Sequence, residues 1–146
     1  RQLGKILSLA LVTSALALTT VWAAEYMSVA KDGINLRSGP DTKSDILYQL
    51  PAGYPLEVAE KKGAWLKVTD YEGDKGWIQE SMVNKTPHVI VKVKDGKVRS
   101  APGTNEKVAG NVVKDVILTK VEQKGDWIKV SHPDLNGWIH KDLVWP

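Results

Sequence analysis

Asn35-Leu-Arg-Ser-Gly-Pro40, Gly63-Ala-Trp-Leu-Lys-Val68 and Gly76-Trp-Ile78 follow one another in the first half of the chain, and each is written again in the second. Lys97-Val-Arg-Ser-Ala-Pro102 repeats the first stretch, Gly125-Asp-Trp-Ile-Lys-Val130 the second and Gly137-Trp-Ile139 the third. The offset is 62 residues from Arg37 to Arg99, from Ile46 to Val108 and from Trp65 to Trp127, and 61 from Trp77 to Trp138. A period near sixty exceeds the roughly 20 to 50 residues typical of solenoid arrays, so each copy closes its own core. Domains of about 60 residues bury only about 60% of the unfolded chain's surface, a marginal size for independent stability. Packing of one copy on the other helps, and the short linker Asn84-Lys85-Thr86-Pro87-His88 enforces it.

Around these stretches the pattern is that of short strands. Leu66 and Val68 alternate with Trp65, Lys67 and Thr69, as Ile128 and Val130 alternate with Trp127, Lys129 and Ser131; Leu56 and Val58 flank Glu57. Strict alternation marks a strand with one buried face. Turn signals separate the strands: Ser38-Gly-Pro-Asp41, Pro51-Ala-Gly53, Lys61-Lys-Gly63, Glu72-Gly-Asp74, Lys94-Asp-Gly96, Lys124-Gly125 and Asp134-Leu-Asn-Gly137. Their spacing of about 8 to 12 residues predicts an all-β chain of two small barrels, and no segment after Glu25 keeps a helical period.

Before the first copy, Arg1 and Lys5 precede an uncharged apolar run from Ile6 to Leu18, and Val21-Trp-Ala23 offers a cleavage-like site. This predicts an export signal over 1–23, with domains over 25–85 and 86–146. An uncleaved anchor is the alternative, since Ile6 to Ala24 is 19 residues long. Thr13, Ser14, Thr19 and Thr20 weaken that span, which favours cleavage and an exported product, with the periplasm as the expected compartment. Cysteine is absent, so disulfides contribute nothing to stability. Residues 25–85 carry 8 basic and 10 acidic side chains, and 86–146 carry 10 and 7. With no run of Lys and Arg, nucleic acid is not an expected partner. The basic surplus of the second copy suits an anionic polymer such as cell wall, though a solvated mixed surface is the commoner cause.

Three motifs in order, each present twice, resemble the bacterial SH3-like domain, with its N-[VIL]-R-S-G-P, G-x-W-x-x-V and G-W-[VI] segments. The resemblance covers nearly all of the chain after Glu25 and implies tandem SH3-like barrels. Two positions depart from it: Asn35 has become Lys97, and Gly39 has become Ala101. That predicts an altered loop in copy two, or a lost side-chain hydrogen bond. The family also implies a ligand groove between the loop after Arg37 and the loop before Trp65, bordered by the strand bearing Trp77. Transferred residue by residue, this nominates Asn35, Asp41, Tyr48, Trp65 and Trp77, with Trp127 and Trp138 in copy two. Tyr48 has no aromatic counterpart near Gly110, so copy one is the expected binder. Met82 and Leu143 stand where a polyproline-binding barrel uses Tyr, which argues against polyproline recognition.

The residues themselves divide the tryptophans. Trp65 and Trp127 lie opposite the core face of their strands, where an indole stacks on a peptide or sugar, or acts as a lid over the core. Trp77 and Trp138 precede an apolar Ile and fit a ring covering the barrel rim. Arg37 and Arg99 leave the first strand where a guanidinium fork spans loop carbonyls, a structural use. No catalytic constellation is present. Cys is absent, and the three histidines lack a nucleophile-elbow or H-E-x-x-H setting. His132, His140 and Asp134 would make at best a metal site peculiar to copy two. The expectation is a non-enzymatic protein without cofactor or metal. It binds cell-wall peptide or glycan, or alternatively docks an envelope protein or itself.

Overall fold

The computed structural model describes residues 23–146, so all of the expected export signal except Ala23 lies outside the described residues. The first copy folds as β1 (Glu25–Val29), β2 (Ile34–Arg37), β3 (Ile46–Leu50), β4 (Pro55–Lys62), β5 (Trp65–Thr69), β6 (Lys75–Gln79) and β7 (Val83–Asn84). The second gives β8 (His88–Val91), β9 (Asp95–Arg99), β10 (Val108–Val113), β11 (Ile117–Lys124), β12 (Trp127–His132), β13 (Leu135–His140) and β14 (Val144–Trp145). A single 3-10 turn precedes each last strand, Glu80–Met82 and Lys141–Leu143. The sheet orders are β3-β2-β6-β5-β4-β1-β7 and β10-β9-β13-β12-β11-β8-β14, the same topology twice. The described chain is all-β, two SH3-like barrels in tandem, as the repeated motifs predict. Among the described residues no helix is long and apolar enough to cross a membrane.

Each barrel closes over its own apolar cluster. Val29, Leu36, Leu50, Leu56, Leu66, Val68, Ile78 and Val83 fill the first, and Val91, Val98, Val112, Leu118, Ile128, Val130, Ile139 and Val144 stand at the equivalent places in the second. Ile34 is the exception, because Gly96 replaces it; Val112, Leu143 and Val93 surround that glycine and occupy the room an isoleucine would take. In β5 and β12 the alternate residues Leu66, Val68, Ile128 and Val130 are buried and the tryptophans are not, which is the period-two pattern of a half-buried strand.

The strands curl because each sheet carries two bulges at matching positions. Leu47 and Ala109 are the extra residues where β3 and β10 pair with β2 and β9; Ala59 and Val121 are the extra residues in β4 and β11. A bulge bends a strand and steepens its twist, which a small closed sheet needs. The slip of the repeat from 62 to 61 falls in one hairpin. β5 and β6 are joined by a five-residue loop between Thr69 and Lys75, whereas β12 and β13 pair as far as His132 with Leu135.

The two barrels dock on one another. The Ser28 hydroxyl donates to the Thr86 carbonyl at 2.7 Å, and His88 Nδ1 lies 2.9 Å from the same hydroxyl. The His88 ring covers Gly53, where an added Cβ would meet it at 3.0 Å and Ile117 at 3.1 Å. Tyr71 donates its phenol to the Asp115 carboxylate across the boundary, and Lys114 Nζ reaches Glu72 Oε1 at 3.7 Å. Tyr26 and Trp145 meet edge to face with centroids 5.5 Å apart.

Candidate functional site: two matched grooves

One groove in each barrel is lined from the same positions. In the first, Gly33, Ile34, Asn35 and Arg37 form one wall, Thr42 comes from the loop after β2, Trp65 opens β5, and Gln79 and Met82 close the far side. In the second, Asp95, Gly96, Lys97, Arg99, Thr104, Trp127, His140 and Leu143 do the same. Every member of one set maps onto the other through the repeat offset. The volumes are about 180 Å³ and 270 Å³. Since Trp65 pairs with Gln79 across β5 and β6, and Trp127 with His140, each indole stands directly beside the polar side chain of the next strand. In the second groove that neighbour is an aromatic edge: His140 and Trp127 have centroids 5.3 Å apart at an interplanar angle of 87°.

The loops that frame the grooves are tied down differently. Arg37 Nη1 donates to the carbonyls of Thr42 and Ser44, each at 2.9 Å, whereas Arg99 Nη1 donates to Glu106 alone. Asp41 Oδ1 accepts from the amides of Lys43 and Ser44, each at 2.8 Å, and those bonds, with the Ser44 hydroxyl and Arg37 adding to them, hold the carboxyl below its usual range. Its counterpart in copy two is Gly103, so of the two outcomes expected there the lost side-chain hydrogen bond is the one found. The backbone bonds Ser100 to Lys107 and Glu106 to Gly103 match Ser38 to Asp45 and Ser44 to Asp41, and the loop keeps its course without the carboxylate cap. In copy one Asn35 Oδ1 already accepts from Gln49 at 3.3 Å; in copy two Lys97 takes that place.

Of the nominated residues, Asn35 and Trp65 meet in the first groove and Trp127 lines the second. Asp41 organises the adjoining loop rather than the lining. Trp77 is half-buried and is not among the lining residues, although it pairs with Lys67 and with Arg37 of the groove wall. Trp138 is 8% exposed, with Lys124 Nζ 5.4 Å from its ring centre, so it belongs to the barrel wall. Tyr48 lines a separate cleft between the barrels, of about 390 Å³, together with Tyr54, Tyr71 and Ile117. There Tyr54 donates to the buried Asp70 at 2.8 Å; burial first, then that bond, pushes the phenol far above its ordinary value. Motif transfer missed Gln79 and His140. The signal for them was the cross-strand register: each follows its Gly-Trp-Ile stretch by one residue, opposite the groove tryptophan.

His132 and His140 are engaged locally, each Nδ1 accepting the amide two residues on, from Asp134 at 3.1 Å and Asp142 at 3.2 Å. Among the described residues no group of three or more His, Asp or Glu is placed to hold a metal.

A family model described as the bacterial SH3 domain matches residues 30–85 and 92–146. The chain is 27% identical, over 90% of its length, to a Bacillus subtilis protein named "Putative N-acetylmuramoyl-L-alanine amidase YrvJ", and spans 28% of that protein. Among solved structures it is similar to NlpC2 from Trichomonas vaginalis, with 14% identity, TM-score 0.37, 85% of this chain and 48% of that one covered. An NlpC/P60 family protein from Bacillus cereus gives 18%, 0.39, 83% and 56%.

Proposed function

Since the chain belongs to the bacterial SH3 domain family, we propose that it is a non-catalytic, exported binding protein of the cell envelope that holds cell-wall peptide or glycan in its two matched grooves. The observation carrying this reading is the recurrence of all eight lining positions, with an indole and a cross-strand polar side chain in each groove. A half-exposed indole gives a flat apolar face plus one N–H donor, which suits a sugar ring or a peptide backbone. Gln79 supplies a neutral amide beside it in copy one, and His140 an imidazole in copy two. The amidase named above adds support, as a relative in which similar sequence accompanies a wall-degrading name. Each groove is small, so each contact is weak, and two on one body raise the total affinity. The periplasm is the compartment this reading favours.

Sedimentation with purified peptidoglycan at low salt tests the proposal. The chain is expected in the pellet, and the Trp65→Ala, Trp127→Ala double variant in the supernatant. Retention of the parent chain in the supernatant would remove wall binding. A second reading, docking of an envelope protein or of another copy, draws on β3, where Ile46, Leu47 and Tyr48 are 50%, 42% and 51% exposed on an edge strand.

A further inference from the structure

We infer that the cleft between the barrels on the linker side is a third binding site, one that takes a short peptide bearing a free carboxylate. Neither repeat contains it alone. Its volume is about 590 Å³, within the roughly 300 to 1,000 Å³ of small-ligand sites, which favour domain boundaries. The walls come from β1, the linker, β11 and the turn after β13.

The cleft is preformed. Ser28 is buried, and its hydroxyl ties the wall of the first barrel to the linker carbonyl of Thr86; His88 Nδ1 closes the same knot, 3.0 Å from that carbonyl. Met27, Pro55 and Pro87 give the lining an apolar part against which a small side chain packs. Lys85, Lys120 and Lys141 supply the charge, against Asp142 alone among the lining acids.

These lysines are not inherited from the repeat. Val58 stands in β4 where β11 has Lys120, and Glu80 stands where the later turn has Lys141. In copy one Glu80 is neutralised by Lys61 at 2.7 Å, whereas Gln123 takes the place of Lys61 in copy two. The second copy thus exchanges the Lys61–Glu80 pair for a Lys141–Asp126 pair and adds Lys120, an extra cation where the first barrel abuts it. Lys120 holds the Gln123 amide oxygen at 2.9 Å. Lys141 reaches Asp126 at 3.2 Å, an exposed pair that yields at little cost to a competing carboxylate. Lys85 has no carboxylate within ion-pair distance among the described residues. A mixed apolar and cationic lining selects a peptide end over a bare polyanion, because only the former has something to bury.

Titration of the chain with N-acetyl-alanyl-alanine, its C-terminal amide and glycerol phosphate, followed on the backbone amide signals of Ser28, Thr86 and Lys120, tests the site. The free acid is expected to move those signals and to bind about tenfold tighter than the amide, as hydrogen bonds to charged groups warrant. The Lys85→Gln, Lys120→Gln double variant is expected to lose that preference, and Lys85→Gln alone to lose part of it. Lys129→Gln, on the exposed side of β12, keeps it. Equal affinity for acid and amide, tighter binding of glycerol phosphate, or a folded double variant with the preference intact would overturn the proposal. So would shifts confined to the Trp65 and Trp127 indoles, an outcome that leaves the matched grooves standing.

Discussion

At the scale of single residues, Asp41 shows how one carboxylate shapes the loop beside the first groove. Its two amide partners favour the ionised form, so the folded carboxyl titrates below the unfolded one. The stabilisation is therefore present above the ordinary carboxylate range and lost as the pH falls through the lower folded value. Asp41→Ala is expected to lower the melting temperature at neutral pH, with variant and parent converging in acid; a gap that does not narrow as the pH falls below the ordinary carboxylate range contradicts this. Gly137 is constrained by contact rather than by conformation, since an added Cβ would lie 2.5 Å from the Arg99 carbonyl oxygen and 2.7 Å from Val98. Gly137→Ala is expected to cost about 1–3 kcal/mol in urea unfolding, the range for overpacking. At Gly96 the nearest neighbour is the Val112 side chain at 3.4 Å, and Gly96→Ala should cost less.

At the scale of elements, the missing residue of the repeat and the missing tyrosine have one cause. The shorter hairpin of copy two places Leu135 against Gly110, so close that an added Cβ would lie 2.8 Å from it. In copy one the same two positions are Tyr48 and Asp74, and both line the cleft beside the second barrel. Gly110→Tyr, which writes the copy-one residue into copy two, is expected to expel Leu135 and destabilise by about 1–3 kcal/mol; unchanged urea midpoints would show that β10 has room to spare. Strand identity was legible in the sequence because Leu66, Val68, Ile128 and Val130 alternate, and barrel number because the motifs recur. The bulges were not, since Leu47 and Ala59 look like ordinary strand residues until their partners are known. Groove membership was half legible: the motifs reveal Trp65 and Trp127, but Gln79 and His140 join them only through cross-strand register. Trp138 and Asp41 were nominated from motif position, which does not report that one ring is walled in and one carboxylate is already satisfied.

At the scale of the whole molecule, the contact between barrels carries a titratable lock. The Tyr71 phenol is pushed far above its usual range, by desolvation first and then by the Asp115 carboxylate it donates to and the neighbouring Glu72 carboxylate. A raised folded value means that the neutral phenol is favoured, so its stabilisation is complete below the ordinary tyrosine range and disappears as the pH rises past about 10. Tyr71→Phe is expected to weaken the docking and split a single thermal transition into two. The same variant should flatten the loss of stability in alkali. One transition at the parent temperature would show that the phenol contributes nothing to the join.

Because Ser28, Thr86 and His88 fasten the connecting segment to both barrels, that segment acts as a splint rather than a tether. Two hooks on a slack leash grip any pair of attachment points within reach, whereas two hooks on a rigid bar grip only those at one separation. For the proposed two-groove binding the molecule is in that sense a caliper: what it would measure along a partner is distance, and inserting flexible residues after Lys85 is expected to leave both matched grooves intact while erasing the gauge.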